Sequence, residues 1–370
     1  MSKIISIILP TYNEAENLYL IIPKIFNILN KSKIYAELIV VDDNSPDGTA
    51  EVAKKFLNKY PVKVFIRKNE RGLGTAILKG LEVAKGEICL VMDADLSHPV
   101  EAISDMVKPI IENKADMTLA SRYIKDGEFE GVSFIRRIIS KIAGLFARGL
   151  TNVTDPTSGF MGIKKSLLKR VNLKAASWKL PLEIIVKCNP LIKEVPIVFV
   201  NRHKGKSKFG LRASFRYLQH LLGLYCYRFP AIFEFIKFCI VGLIGLIIDT
   251  AVLVSAVELF SLDPRIAAIF AFMVAVTVNY FLNRFWTFKI GKFTIFRCSY
   301  PAFVSIRLLG LGIRIVTMDI LMVFAGMGKG YLYLLASIIG IFVATIFNFI
   351  GSKYFAFSKL FLHNSKDEFE

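Results

Sequence analysis

The stretch Gly86–Pro99, which reads GEICLVMDADLSHP, decides the fold. Its first part, Glu87–Met92, is a short apolar run, the pattern of a strand that is buried on both faces of a sheet. The run stops at Asp93, where acidic and hydroxyl side chains begin. A buried strand with polar residues at its carboxyl end is typical of a parallel sheet that carries its functional residues along one edge.

Four similar runs accompany this strand, and two segments between them have the apolar spacing of helices. The predicted strands are Ile4–Leu9, Glu37–Val41, Val62–Ile66 and Met117–Ala120, and the predicted helices are Asn17–Leu29 and Leu73–Ala84. Strands that alternate with helices predict an α/β domain, residues 1–212, with a mainly parallel sheet and helices on both faces. Ligands bind at the carboxyl ends of such strands, where three segments fall: Pro10-Thr11-Tyr12, Asp42-Asp43 and Asp93-Ala94-Asp95.

The second half of the chain is strongly apolar. Four segments are each long enough to cross a hydrocarbon core of about 30 Å, which takes about 20 residues: Ile232–Phe260, Ile266–Phe285, Phe303–Gly326 and Tyr331–Phe349. They predict an all-α, four-helix transmembrane domain over residues 231–360. The loop between the second and third spans is rich in Arg and Lys, so we expect that loop, both termini and the first domain on the cytoplasmic side.

The apolar half contains an internal repeat. Residues of the first span match residues of the third span at nearly constant spacing: Lys237, Gly242 and Asp249 match Arg307, Gly312 and Asp319. The ends of the second and fourth spans match in the same way: Asn279, Arg284 and Phe288 match Asn348, Lys353 and Phe357. The repeat predicts a duplicated two-helix unit whose copies have the same orientation. The aspartates in these apolar runs are either functional or hydrogen-bonded to a neighbouring helix.

Two basic, amphipathic stretches, Ser133–Leu150 and Ser214–Phe229, are candidates for helices that lie in the headgroup layer of a membrane. We assign residues 213–230 to such a segment between the two domains. The alternative is an ordinary amphipathic helix packed on the sheet.

The composition narrows the class of partner. A net charge of +18 suits nucleic acid, anionic lipid or phosphorylated substrates. The apolar half favours a lipid bilayer and phosphate, and the chain has no RNA- or DNA-binding motif, so we expect no nucleic acid partner. The five cysteines have no metal-site spacing and indicate buried thiols in a reducing compartment.

Asp93 and Asp95 are the strongest chemical signal. Two carboxylates at positions i and i+2 on a strand end can face one divalent cation and a diphosphate, and hard oxygen ligands suit Mg²⁺ or Mn²⁺. Taken alone, the pattern also fits a surface turn. The segment Asp42–Thr49 follows another strand and offers several acceptors for a base or ribose; its alternative reading is a helix cap at Ser45 or Asp47.

Together, several motifs resemble those of dolichol-phosphate mannose synthases, which are family 2 glycosyltransferases with a GT-A fold. The motifs cover much of residues 4–210: Pro10–Glu14, Val41–Thr49, Gly72–Ala76, Met92–Pro99, Ser121–Tyr123 and Asp155–Phe160. Residues 231–357 resemble the GtrA-like four-helix domain that some prokaryotic members carry, best marked by Asn283-Arg284 and Trp286-Thr287-Phe288.

This resemblance implies an enzyme that transfers mannose from GDP-mannose to dolichyl or another polyprenyl phosphate with inversion, using Mg²⁺ or Mn²⁺. It also implies the plasma membrane of a prokaryote, an archaeon. Two alternatives stay open. One is a glucosyltransferase that uses UDP-glucose, and the other is a membrane domain that flips lipid-linked sugars instead of serving as an anchor.

The resemblance also assigns roles to residues of this chain. The donor nucleoside is expected to contact Pro10, Tyr12, Glu14, Val41 and Asp43. The metal and diphosphate are expected to bind Asp93, Ala94, Asp95 and Ser97. The acceptor phosphate is expected to meet Arg122, Arg136 and Ser140. Arg202 and Lys208 lie in a glycine-bearing basic loop that could close over the pyrophosphate. The residues expected to take part in catalysis are Asp95, Arg122, Arg136, Arg202 and Lys208.

Overall fold

In the part of the chain that the structure describes, nine strands form two sheets before residue 201. They are β1 Ile5–Thr11, β2 Ala36–Asp42, β3 Val62–Ile66, β4 Ile88–Val91, β5 Met117–Ser121, β6 Glu128–Glu130, β7 Met161–Lys164, β8 Ile192–Pro196 and β9 Val198–Val200. The computed structural model describes residues 5–169, 171–173, 179–200, 211–325 and 332–358. The chain divides into two compact units, Met1–Arg228 and Phe229–Glu370.

The larger sheet is mainly parallel. Its strand order is β3-β2-β1-β4-β7-β5-β8, and β6 pairs with β9 in a separate two-stranded sheet. Every neighbouring pair of the larger sheet is parallel except those of β7, which is antiparallel to both β4 and β5. All five predicted strands are present, and the predicted mainly parallel sheet with flanking helices is confirmed. The antiparallel β7 was not predicted.

The described residues of the first unit form eight α-helices: α1 Ala15–Lys31, α2 Thr49–Lys54, α3 Leu73–Val83, α4 Ile103–Ile111, α5 Phe134–Ala147, α6 Lys165–Leu168, α7 Leu180–Cys188 and α8 Leu211–Arg228. Both faces of the sheet are covered. On one face, α1 and α4 pack their apolar side chains against alternate residues of the central strands, such as Ile7 and Leu90. On the other face, α3 and α7 pack against the intervening residues, such as Ile8 and Val91.

The register of the parallel strands gathers their polar ends. Pro10 lies opposite Val41, and Thr11 lies opposite Asp42. The N–H of Met92 donates to the carbonyl of Ile8 at 3.2 Å, so the segment Asp93–Pro99 leaves the sheet beside the end of β1. The segment Asp155–Phe160 reaches the same edge, because the N–H of Ala120 donates to the carbonyl of Phe160 at 3.0 Å.

The stretches predicted as amphipathic helices are α5 and α8. Their buried faces meet each other and α7 in a small apolar cluster that includes Ala147, Leu182 and Leu221. Tyrosine hydroxyls on α8 donate to carbonyls of α5, with Tyr217 on Ala143 at 2.7 Å. The remaining face of α5 is exposed and apolar: Phe134, Ile135, Ile138, Ile139, Ile142, Leu145 and Phe146.

The second unit consists of α9 Pro230–Glu258, α10 Pro264–Leu282, α11 Phe296–Phe324 and α12 Leu332–Gly351. Among the described residues, three helices are long and apolar enough to cross a membrane, over Pro230–Glu258, Pro264–Thr287 and Leu332–Ala356. The third predicted span is also a helix, the 29-residue α11, but it is not one of these three. It is less apolar because Arg297, Arg307, Arg314 and Asp319 lie along it.

The two helical hairpins of the second unit share a glycine–asparagine contact and a π-helical end, whereas the paired glycines of the predicted repeat, Gly242 and Gly312, have no such contact. The duplication itself stays a prediction. Gly245 of α9 lies against Asn279 of α10, and Gly310 of α11 lies against Asn348 of α12. At each glycine, a Cβ atom would collide with the asparagine side chain. Each hairpin also ends in a π-helical turn, at Asn283–Thr287 and at Ser352–Ala356.

Candidate active site

The loops that follow β1 and β2 are tied together by carboxylates. Asp42 accepts a hydrogen bond from the Thr11 hydroxyl at 3.1 Å. Ala15 is the first residue of α1 and Thr49 is the first residue of α2. The Asp47 carboxylate accepts a hydrogen bond from the N–H of Ala15 at 3.1 Å and from the N–H of Thr49 at 3.0 Å. The N-cap of α2 is Gly48 and neither Ser45 nor Asp47. The Asp47 carboxylate nevertheless accepts N–H groups that the starts of both helices leave unpaired.

Asp43 is held in a buried ion pair. Arg67 donates to Asp43 Oδ1 through Nε at 2.8 Å and through Nη2, and the N–H of Gly72 donates to Asp43 Oδ2 at 2.7 Å. The two side chains are only 7% and 8% exposed. This carboxylate ties β2 to the start of α3. Its expected contact with a nucleoside stays a prediction. We call the following residues the first-loop cluster: Thr11, Asp42, Asp43, Asp47 and Arg67.

Tyr12 stands beside a cation that the sequence did not single out. The guanidinium of Arg71 lies 5.3 Å from the centroid of the Tyr12 ring. Pro10 and Val41 are buried at the ends of their strands, whereas Tyr12 and Glu14 are partly exposed. A partly exposed ring with a guanidinium above it is a surface on which a planar base can stack.

The loop after β4 presents two carboxylates in different settings. The Asp93 side chain is 30% exposed, whereas Asp95 is buried at 3%. The hydroxyl and the N–H of Ser97 both donate to Asp95 Oδ1, at 2.5 and 3.1 Å. His98 is buried, accepts the N–H of Asp93 at Nδ1 over 3.0 Å, and stacks on Phe160 with 5.1 Å between ring centroids. The loop is therefore rigid, with Asp93 at its open side.

This donor set fits a divalent cation that is shared with a ligand. Asp93 and Asp95 offer hard oxygen atoms, and Ser97 has a hydroxyl oxygen next to Asp95. Within the described part of the chain, no group of three or more His, Cys, Asp and Glu side chains is arranged to hold a metal. A cation here would therefore need further oxygen atoms from a bound phosphate or water. Ala94, between the two carboxylates, is buried.

A second ion pair lies next to this loop. Arg122 donates to Asp155 through Nε at 2.6 Å and through Nη2 at 2.7 Å, a two-point contact that fixes the guanidinium plane. Arg122 Nη2 also donates to the Thr157 hydroxyl at 3.0 Å. The rings of Phe129 and Phe199 lie 5.0 and 5.3 Å from the guanidinium carbon. Among the described residues, Arg122 donates hydrogen bonds through Nε and Nη2 but not through Nη1.

Burial and pairing oppose each other in this ion pair. Burial acts to lower the pKa of Arg122, but the hydrogen bonds and charge of Asp155 outweigh it and raise that pKa above its usual value. Burial acts to raise the pKa of Asp155, but the hydrogen bonds and charge of Arg122 hold it below its usual value. Both groups are therefore charged at neutral pH.

Lys179 adds an unusual cation to the same place. It precedes α7, is buried at 7% exposure, and its ammonium donates to the carbonyl of Thr157. Burial, followed by the charge of Arg122, lowers the pKa of Lys179 to about 7, against the opposing charges of Asp155 and Asp93. Arg136 is also close enough for its charge to lower this pKa.

The structure thus brings together many of the expected phosphate-binding residues. Ser140 contacts this group weakly, with its hydroxyl 3.5 Å from Arg122 Nη2 and 3.4 Å from the Thr157 hydroxyl. Gly159 lies beside this group of residues, since a Cβ at that position would lie 3.7 Å from Asp93 Oδ2. We call the following residues the DxD cluster: Asp93, Asp95, Arg122, Asp155 and Lys179.

Two expected residues, Arg202 and Lys208, lie outside the described residues. Lys179 and Arg67, by contrast, were missed by sequence reasoning. Lys179 stands directly before the apolar start of α7, where a lone lysine is an unusual neighbour and could have served as a signal. Arg67 at the end of β3 carried no comparable signal, because its role depends on the pairing of β2 with β3.

Comparison with known proteins agrees with this geometry. Residues 6–171 match the model of Glycosyl transferase family 2, and residues 237–357 match that of the GtrA/DPMS transmembrane domain. A dolichol-phosphate mannosyltransferase of Pyrococcus furiosus is 36% identical over 343 residues, which cover 91% of this chain and 94% of that protein.

Two fungal proteins of the same name match the first part of the chain. The one from Saccharomyces cerevisiae is 36% identical over 244 residues, which cover 62% of this chain and 90% of that protein. The one from Mycosarcoma maydis is 34% identical over 252 residues, which cover 64% of this chain and 85% of that protein. The chain therefore belongs to the dolichol-phosphate mannosyltransferase family and is a membrane-embedded family 2 glycosyltransferase with a C-terminal GtrA/DPMS transmembrane domain.

Proposed function

We propose that this enzyme transfers mannose from GDP-mannose to dolichyl or another polyprenyl phosphate, with inversion at the anomeric carbon. The relatives' names supply mannose and dolichol phosphate. One observation carries the proposal most strongly. The partly exposed Asp93 lies within electrostatic reach of Arg122 and of Lys179, at the edge where parallel strands bind ligands. Carboxylates beside fixed cations suit a reaction between two phosphate-bearing substrates.

The acceptor explains why cations matter more here than a general base. A phosphate monoester has a second pKa of about 6, so it is mostly a dianion at neutral pH and is already nucleophilic. One of its oxygens attacks the anomeric carbon while the bond from that carbon to the diphosphate oxygen breaks, and GDP leaves with the electron pair. No proton needs to be removed. What the site must do is bring two anions together, which Arg122, Arg136 and Lys179 favour by their charge.

Asp93 and Asp95 are the residues that would hold Mg²⁺ or Mn²⁺. When bound there, such a cation would supply positive charge against the charge that develops on the departing diphosphate. Ser97 orients Asp95 through its hydroxyl. Arg122 is kept in one orientation by Asp155, so its remaining donor group presents a fixed direction to an anion. Tyr12 and Arg71 would flank the base of the nucleotide.

The lipid substrate also accounts for the exposed face of α5. Seven large apolar side chains on this helix are exposed to solvent in the structure, which is far more than scattered surface apolar residues require. We propose that α5 and α8 lie in the headgroup layer, with residues 213–230 as the interfacial segment between the domains 1–212 and 231–360. Both termini and the catalytic domain face the cytoplasm of a prokaryote, an archaeon, with the second domain in its plasma membrane.

A donor screen tests the proposal. Purified full-length protein is given a short polyprenyl phosphate, Mn²⁺ or Mg²⁺, and labelled GDP-mannose or UDP-glucose, and label in the organic phase is counted. We expect transfer from GDP-mannose, no transfer after chelation of the metal, and none by Asp95→Ala. Lys79→Ala, which alters an exposed side chain, serves as the matched control. Transfer from UDP-glucose alone would contradict the mannose assignment.

A further inference from the structure

Buried polar atoms that lack a hydrogen-bond partner are concentrated in the second unit. In folded proteins such atoms are almost always paired, and exceptions call for an explanation such as a bound ligand or water. Of the described residues in this unit, the following carry one or more such atoms: Asn279, Asn283, Arg284, Thr287, Arg307, Asn348 and Ser352. The concentration is unexpected in helices that are otherwise apolar.

Arg307 is the outstanding member of this set. Its guanidinium carbon lies 4.7 Å from the centroid of Phe238 on α9 and 4.8 Å from that of Phe303 on α11. Its Nε and Nη2 atoms are buried without an acceptor, and no carboxylate among the described residues pairs with it. The other arginines nearby do have partners, because Arg284 donates to Tyr280 and Arg314 donates to Ser337. Arg307 is thus a cation held in place by aromatic rings with unused donors.

The helix that carries Arg307, α11, packs on a helix that has unpartnered polar atoms, α12. Gly310, one turn after Arg307, lies against Asn348, and Ile306 lies against Gly351. Asn348 lies on α12 and Ser352 lies in the π-helical turn that follows it. Asn348 Oδ1 and Ser352 Oγ are both buried without a partner. The next residue along the chain, Lys353, pairs with Glu234 of α9 at 2.7 Å.

We propose that Arg307, together with Asn348 and Ser352, binds the phosphate ester of a membrane lipid. A planar guanidinium with free donors matches phosphate oxygens. A neutral ligand would leave the buried charge of Arg307 uncompensated, which is costly. The Ser352 hydroxyl can donate to a phosphate oxygen, and Asn348 can bond to a polar group on the lipid head. The aromatic walls and apolar helices favour a phosphate that carries a hydrocarbon chain over free phosphate.

This site goes beyond the proposed function, because all of its residues belong to the second unit and none takes part in the proposed transfer. Native mass spectrometry of the full-length protein can count bound lipids. The probe is a short polyprenyl phosphate, and the corresponding alcohol is the neutral control. We expect the wild type to carry two phosphorylated lipids, one in each unit, and Arg307→Met to carry one. Arg136→Gln removes the other lipid only if the acceptor site of the proposed function is correct, so the two failures are distinguishable.

Matched variants sharpen the result. Arg297→Met removes an exposed arginine from the same helix and should keep both lipids. Arg307→Lys should recover part of the binding, with a half-saturation concentration within about tenfold of the wild type. Competition by phosphatidylglycerol would identify membrane phospholipid as a further source of the phosphate. Equal lipid counts in Arg307→Met and the wild type, equal binding of the alcohol, or displacement by inorganic phosphate at the same concentration would each overturn the proposal.

Discussion

The first-loop cluster and the DxD cluster lie along the same edge of one sheet, yet their charged groups are used differently. In the first-loop cluster, the carboxylates are occupied by backbone N–H groups and by Arg67, and most of them are buried. In the DxD cluster, one carboxylate, Asp93, is open to solvent, and the cations around it include a buried lysine. The first-loop cluster stabilises the edge of the sheet, whereas the DxD cluster is placed to contact a ligand.

The largest effect on the transfer rate is expected for Asp93→Asn, a substitution in the DxD cluster. We expect the rate of mannosyl transfer to fall by more than about a thousandfold, as when a group that stabilises developing charge is removed. We expect thermal stability to stay within about 2 °C of the wild type, because the side chain is partly exposed. The measurements are label transfer to lipid and a thermal melt. A variant that kept a tenth of the activity would show that Asp93 is dispensable.

The second prediction concerns the ion pair inside the DxD cluster. Asp155→Ala leaves Arg122 buried without its partner, and the free energy of unfolding should fall by about 3–5 kcal/mol. Urea unfolding at neutral pH measures it. The control is Asp116→Ala, whose partly exposed pair with Lys164 should be worth about 1 kcal/mol or less. Equal losses in both variants would contradict the account.

Asp155 also makes a pH prediction. Because the folded-state pKa of Asp155 is lowered, its stabilising effect is present above its ordinary pKa of about 4. It is lost as the pH falls from there through the folded-state pKa. The acid limb of the stability curve should therefore be shallower in Asp155→Ala than in the wild type, as followed by urea unfolding below about pH 5.

Asp43→Asn tests the first-loop cluster. The change removes the charge opposite Arg67 but keeps an oxygen that can accept from Gly72, so we expect a loss of about 1–3 kcal/mol in the free energy of unfolding. The transfer rate of the folded protein should fall much less than in Asp93→Asn. Unfolding curves and specific activity measure the two effects. Unchanged stability would mean that this ion pair does not support the edge.

Lys179 sharpens the comparison through pH. Because the pKa of Lys179 is lowered to about 7, its positive charge is lost as the pH rises through that value. We expect kcat/KM to fall by about tenfold on this alkaline side and Lys179→Met to lack that limb. In the wild type, the unfolded lysine binds more protons than the folded one above about pH 7, so stability should rise from there toward pH 10. A pH–rate profile identical in both proteins would contradict this role.

The smallest effect is expected at the surface. Lys79 and Glu82 form an exposed pair on α3, at 40% and 69% exposure. Lys79→Ala should change the free energy of unfolding by less than about 0.5 kcal/mol and leave transfer unchanged. A larger change in either quantity would show that remote charges affect this enzyme.

How far the sequence predicted the molecule depended on whether a feature is local. The strands β1 to β5 and the helices α1 and α3 show a local apolar pattern, so they were predicted with ends that differ by a few residues. The antiparallel β7 was missed because its pairing with β4 and β5 depends on contacts that are remote in sequence. The expected third membrane span, α11, is a helix, but its arginines and aspartate depart from a simple apolar pattern.

The site follows the same rule. Asp93 and Asp95 were predicted as a pair because their spacing is a local signal. In the structure, Arg122 contacts Ser140 and lies within electrostatic reach of Asp93. Arg136 lies within electrostatic reach of Lys179. The roles of Asp155 and Arg67 as buried partners could not be assigned, because burial and pairing arise from the tertiary fold. Lys179 had only the weak signal of a lone lysine before an apolar helix. The roles of the predicted residues in binding and catalysis stay predictions.

The most direct test of the contrast between the two clusters compares Asp93→Asn with Asp43→Asn in one preparation of full-length protein. Each variant is measured for mannosyl transfer from GDP-mannose to a short polyprenyl phosphate and for unfolding in urea. We expect Asp93→Asn to keep its stability and lose transfer, and Asp43→Asn to lose stability while its folded fraction keeps most of the transfer. The reverse pattern, or equal losses of transfer in both variants at unchanged stability, would contradict the account.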